Sequence, residues 1–168
     1  MNTIKIIILT VTGIVVVAIM LLVIQLLLRK VKLKSETDFK IKSSYGIWFA
    51  SLFIAATVLT LKTVSYLSEA IDNIYKIDSL NRTTEILKII SLYIGLSVIW
   101  FFLCYIVAKV FSAIIVGVKN EQEEMGLDNV HYFLIRGITT IGLTFSLSTI
   151  LEIILRIFMP NIQIPLYH

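Results

Sequence analysis

The 168-residue chain has one cysteine, two histidines and two prolines. Cys104 alone excludes an intrachain disulfide and any cysteine-based metal cluster, and its place in an apolar run reads as small-residue packing. His131 and His168 stand 37 positions apart, and the only carboxylate near either at helical spacing is Asp128, so no metal site is expected. Pro160 and Pro165 both lie near the end, and no linker rich in Pro, Gly or Ser divides the chain. Residues 1–168 therefore read as a single transmembrane domain. The phosphate-cradling G-x-x-x-x-G-K-[ST], the dinucleotide fingerprint G-x-G-x-x-G, the nucleophile elbow G-x-S-x-G and the zinc pair H-E-x-x-H are all missing. Neither an enzyme nor a cofactor is expected.

Charge is the other scarcity. Only 15% of residues are Asp, Glu, Lys or Arg, 58% are hydrophobic and the mean hydropathy is +0.93, whereas soluble domains average about 25% charged and 45–50% apolar. Such a surplus needs a nonaqueous solvent, and the expected fold is an all-α membrane protein, a bundle of four transmembrane helices. A bilayer core of about 30 Å takes roughly 20 residues of helix, and four segments qualify: about 6–28, 45–68, 89–118 and 132–158. The first is 23 residues without a charge and ends in Leu-Leu-Leu-Arg-Lys, too long and wrongly flanked for a cleaved leader. The third is expected to carry Lys109 and Lys119 on one continuous helix, with Lys109 reaching back to the headgroups.

Orientation follows from Lys and Arg in the short loops. The first connection holds six, Arg29, Lys30, Lys32, Lys34, Lys40 and Lys42, and the second holds three, Lys76, Arg82 and Lys88. That contrast predicts a multi-pass protein with both termini outside and the first and third connections in the cytoplasm. The six cations are expected to contact anionic lipid, and in an oligomer to form a ring able to attract a phosphate-bearing anion. Sliding the chain by 86 residues lays the first two spans on the last two, which leaves open two parallel two-span hairpin repeats or two unrelated apolar hairpins.

Polar residues inside membrane helices mark helix contacts, water paths or substrate sites. The fourth span carries Arg136, Thr139, Gly142, Ser146, Thr149, Glu152 and Arg156 at intervals of three or four, and the second adds Lys62 and Glu69 on a similar track. These nine are the candidate pore-lining residues, with Lys62 a candidate partner for Glu152 at similar depth. A second small-residue track, Gly137, Thr140, Thr144 and Ser148, falls on the opposite side of the fourth helix. Small and hydroxylated residues also serve close helix packing without conduction, and the sequence leaves both readings open. Glu152 lies close to Arg156 near a membrane boundary, which disfavours a proton-cycling transporter carboxylate.

In its span count, length, basic first loop and missing catalytic domain, the chain resembles small bacterial inner-membrane proteins made of two-span units, among them Hailong-type antiphage membrane effectors. The resemblance implies a tetrameric channel in the bacterial inner membrane, held shut by a nucleotide-derived ligand from a partner enzyme and acting in antiviral defence. The expected function is accordingly a homo-oligomeric channel or gated membrane effector. A noncatalytic scaffold that recruits a cytoplasmic partner through loops around Lys34 and Glu123 is the alternative. A holin-like lesion former would carry a basic tail, and Asn161 to His168 has no Lys or Arg.

Overall fold

The computed structural model describes residues 3–32, 36–37, 40–76 and 81–160. Five helices occupy almost all of it: α1 (Thr3–Lys32), α2 (Ser43–Lys76), α3 (Arg82–Val116), α4 (Glu121–Gly126) and α5 (Val130–Ile157). Between α1 and α2, β1 (Glu36–Thr37) pairs antiparallel with β2 (Lys40–Ile41), a two-residue ladder. All but α4 are long and apolar enough to cross a membrane. Helix is the physical requirement there, because hydrocarbon offers no partner to an open N–H or C=O. The chain is thus a multi-pass membrane protein of the all-α, four-span type.

Each long helix contains most of the span read from sequence and begins before it, and α1 and α2 also run past its end. The 34 residues of α2 make roughly 50 Å of helix, well over the hydrocarbon thickness. At the far end of α3 the expectation fails. The helix stops at Val116, and Gly117 turns the chain at φ +85, a left-handed conformation that only glycine takes without strain. Lys109 and Lys119 are therefore not on one helix, and Lys109 pairs with Glu121 of α4 at 3.1 Å instead of lying alone.

The chain runs up, down, up, down, so the α1–α2 and α3–α5 connections share one end, called here the hairpin end. Residue 3, the α2–α3 connection and the end of α5 share the other, the termini end. α2 is central, packing on α1, α3 and, most extensively, α5. α2 and α5 run in the same direction at an offset near 86 residues, as Tyr66 with Glu152 shows. The two hairpins are not equivalently placed, however. α3 packs on both α2 and α5, whereas α1 packs mainly on α2 and makes no comparable contact with α5.

Close packing along the α2–α5 seam explains the buried small residues. Gly137, Thr140, Thr144 and Ser148 of α5 are all buried, and a Cβ on Gly137 would collide with the Ser51 side chain. Thr140 and Ser148 donate to the Arg136 and Phe145 carbonyls of their own helix, and Ser51 of α2 to that of Ile47, which lets helices touch with those donors satisfied locally. The buried Thr144 hydroxyl has no hydrogen-bond partner among the described residues. Across helices, the Thr63 and Ser97 hydroxyls meet at 2.5 Å and Tyr93 donates to the Leu155 carbonyl at 2.8 Å. At the termini end Lys5 of α1, a buried cation, is neutralised by Asp72 of α2 at 2.5 Å.

Candidate functional site

Leu52, Leu59, Leu67 and Ile71 of α2 and Leu151 and Leu155 of α5 are each 0% exposed. With that seam filled, a path for water or ions must run outside the single protomer, along whatever polar surface the helices turn outward. α5 has such a surface. Thr139, Gly142, Ser146 and Thr149 are exposed or half-buried on the face opposite the packed track, flanked by exposed Ile135 and Ile153. Thr139 and Ser146 donate to the carbonyls of Ile135 and Gly142, so each hydroxyl still presents lone pairs outward.

This face leads into a charged cluster at the termini end. Lys62 of α2 and Glu152 of α5 form an ion pair at 2.5 Å, as their matching depth suggested, with side chains 40% and 21% exposed. The phenol of Tyr66 donates to Glu152 at 3.0 Å and accepts from Arg156 Nε at 3.1 Å, and the Arg156 guanidinium lies 5.4 Å from the Tyr66 ring centre. Glu152 and Arg156 are therefore joined through Tyr66, which sequence reasoning missed because a tyrosine in an apolar span carries no charge signal. Glu69 lies two turns beyond Lys62 on α2 and is exposed. Ser51 and Ala55, first members of the α2 track, are buried, whereas Ser65 and Glu69 are exposed, so that track surfaces only toward the termini end.

No known protein family, characterised protein or solved structure matches the chain.

Arg136 is elsewhere. It is 2% exposed at the hairpin end, about 24 Å along α5 from Glu152 at 1.5 Å per residue. Its guanidinium lies 4.7 Å from the Trp48 ring centre and 5.8 Å from that of Tyr105, pairs with Glu121 at 2.9 Å and donates to the Tyr132 hydroxyl at 3.0 Å. Cation–π contact and a desolvated ion pair together compensate the burial. Of the nine candidate lining residues, the structure thus brings Lys62, Glu152 and Arg156 into one cluster, sets Thr139, Gly142, Ser146 and Thr149 on one outward face beside it, leaves Glu69 above it, and buries Arg136 among aromatic rings.

The short helix α4 supplies Glu121 and is held to the bundle by two reciprocal caps. Lys42, the residue before α2, donates to the Met125 and Gly126 carbonyls at the end of α4 at 3.3 and 2.6 Å. Asp128, after α4, accepts from the Ser44 amide at the start of α2 at 2.9 Å. Each charge sits at the helix end whose dipole and open groups it complements. Asp128 takes φ +49 to do so, a left-handed conformation that Asp tolerates better than most residues. Asn120 and Asn129 cap α4 and α5 through their side chains.

Hydrogen bonds from Ser44 hold the Asp128 carboxyl below its ordinary value, and those from Asn129 and then Lys119 do the same for Glu124. A carboxyl lowered in the folded state contributes stability that is complete above its unfolded pKa, near 4, and disappears as pH falls through the lower folded value. Amide hydrogen exchange should therefore show constant protection of the Ser44 N–H from neutral pH down to about 4, and loss only below it. Loss already at pH 6 would contradict the cap.

Among the basic residues expected to contact lipid, Arg29 is exposed at the end of α1, Lys42 makes the cap just described, Lys30 and Lys32 fall in the last turn of α1 and Lys40 in β2. Lys34 lies outside the described residues, as does the tail 161–168. Glu123 is exposed on α4. Among the described residues no group of three His, Cys, Asp or Glu could hold a metal ion.

Proposed function

We propose that the protein is a homo-oligomeric membrane channel whose path runs along the outward face of α5. The observation that carries the proposal is the Lys62–Glu152–Arg156 cluster, partly exposed on two helices long and apolar enough to cross a membrane. Charges facing hydrocarbon are costly and ordinarily turn toward protein or a water-filled cavity. Copies arranged with α5 toward a common axis give both: Gly142 and Ser146 allow close approach, and Thr139, Ser146 and Thr149 line the axis with hydroxyl oxygen.

In this reading both termini are outside, following the loop cations, and the cluster forms an outer ring of mixed charge. Arg136 stabilises the cytoplasmic end rather than lining the path. A tetrameric assembly, closure by a nucleotide-derived ligand from a partner enzyme, residence in a bacterial inner membrane and a role in antiviral defence are the further content that resemblance to Hailong-type effectors would add.

Purified protein in planar bilayers should conduct, and Glu152→Gln should shift the anion-to-cation permeability ratio toward anions severalfold by removing the ring's carboxylates. Absence of current under every gating condition tried, with loss of function only on charge reversal around Glu123, would instead support the scaffold.

A further inference from the structure

At the hairpin end, α1, α3 and the start of α4 enclose a cleft of about 330 Å³. One wall is apolar, Leu27 and Val31 of α1, and the other is polar, with Tyr105 and Lys109 of α3, Lys119 and Asn120 beside α4, and the carboxylate Glu121 and Gln122 on it. The lysine side chains are 61% and 38% exposed. Each has a carboxylate at 3.1 Å that is shared with another donor. Glu121 Oε1, which faces Lys109, also accepts from buried Arg136 at 2.9 Å, and Glu124, which faces Lys119, is also bonded by the Asn129 amide. The cleft lining itself thus carries two cations, Lys109 and Lys119, against one carboxylate, Glu121, which it shares with buried Arg136; Glu123 and Glu124 of α4 are not part of the lining. Arg29, exposed at the end of α1, adds a further positive charge nearby in sequence to the apolar wall.

We propose that this cleft binds the headgroup of an anionic phospholipid, its phosphate between Lys109 and Lys119 and its glycerol end against Leu27 and Val31. The occupant is set by the pairing of walls. A soluble phosphate would meet only the lysines, whereas a lipid arriving along the membrane-facing surface uses both. Ile106, one turn before Lys109 toward the membrane centre, is 59% exposed and offers the acyl chain a continuous apolar track. Basic pockets between transmembrane helices at headgroup level have this recognition chemistry. The site differs from the expected lipid contacts of the first loop and does not depend on conduction.

The test uses the full chain in nanodiscs of phosphatidylcholine doped with phosphatidylglycerol, followed by native mass spectrometry of the lipid retained after detergent extraction. Lys109→Gln should lower retained phosphatidylglycerol about fivefold and the double Lys109→Gln, Lys119→Gln variant more than tenfold, while Lys→Arg at both positions keeps it near the wild-type level. Inorganic phosphate should not displace the lipid. Three results overturn the proposal: unchanged retention in the glutamine variants, an equal loss on Lys76→Gln with Lys88→Gln at the opposite end, or displacement by inorganic phosphate as effective as by added phosphatidylglycerol, which marks a soluble-anion site. The single variant changes one exposed side chain and keeps the test decisive if the double variant does not fold.

Discussion

Replacing Arg136 with alanine is expected to destabilise the protein by roughly 3–5 kcal/mol, the cost of breaking a buried ion pair by removing one partner. The side chain is among the largest that are fully buried, and its loss leaves a void between Trp48 and Tyr105. It also removes the donors to the Tyr132 and Tyr105 hydroxyls. Among the described residues Glu121 would keep only exposed Lys109 as an ion-pair partner, and α4 would lose its main charged tie to α5. Arg136→Lys should recover only part of the loss, because an ammonium cannot stack on two rings while pairing with a carboxylate as a planar guanidinium does. Reversible unfolding in mild detergent reads both numbers, and a change under 0.5 kcal/mol for alanine, roughly that of a neutral surface substitution, would show the cluster to be energetically idle.

The second large effect is expected at Gly137, where the approach of α2 to α5 leaves no room for a methyl group. Elsewhere on an exposed helix Gly→Ala stabilises by up to about 1 kcal/mol through helix propensity. Here the Ser51 side chain occupies the place of the missing Cβ, so Gly137→Ala should reverse that sign and cost about 1–3 kcal/mol, the range for overpacking a filled core. Ser51→Gly in the same chain should restore most of it, since removing the Ser51 side chain reopens the space. By contrast Gly142, with nothing within 4 Å of the place a Cβ would take, should accept alanine in the protomer without loss. Equal costs at the two glycines would contradict the assignment of inner and outer faces.

That assignment marks where sequence reasoning ended. The spans were legible because lipid admits only helices and closed barrels, uninterrupted apolar runs of about 20 residues fit the helix, and the 15% charge is concentrated between those runs. The Lys62–Glu152 pair was legible from depth alone. The two tracks of α5 could be separated by counting 100° per residue, but not told apart, because both consist of glycine and hydroxyl residues. Burial of one track, tightest where Gly137 meets Ser51, distinguishes them. Arg136 belonged to the outward track by spacing and is buried by tertiary contact, since Trp48 and Tyr105 lie 88 and 31 residues away in sequence. The α4 helix and its caps were hidden for a similar reason: Lys42 and Asp128 each complete a helix end more than 80 residues away.

Whether the outward face of α5 meets water is tested most directly by Ser146→Cys in a Cys104→Ala background, reconstituted in bilayers and treated with a membrane-impermeant cationic thiol reagent. Only a hydrated thiol ionises and reacts at a useful rate. Ser146→Cys should be modified with a fall in current, and Thr144→Cys on the packed face should not react. Unreactive Ser146→Cys in a conducting bilayer would show that this face meets lipid or protein, and would contradict the proposed path.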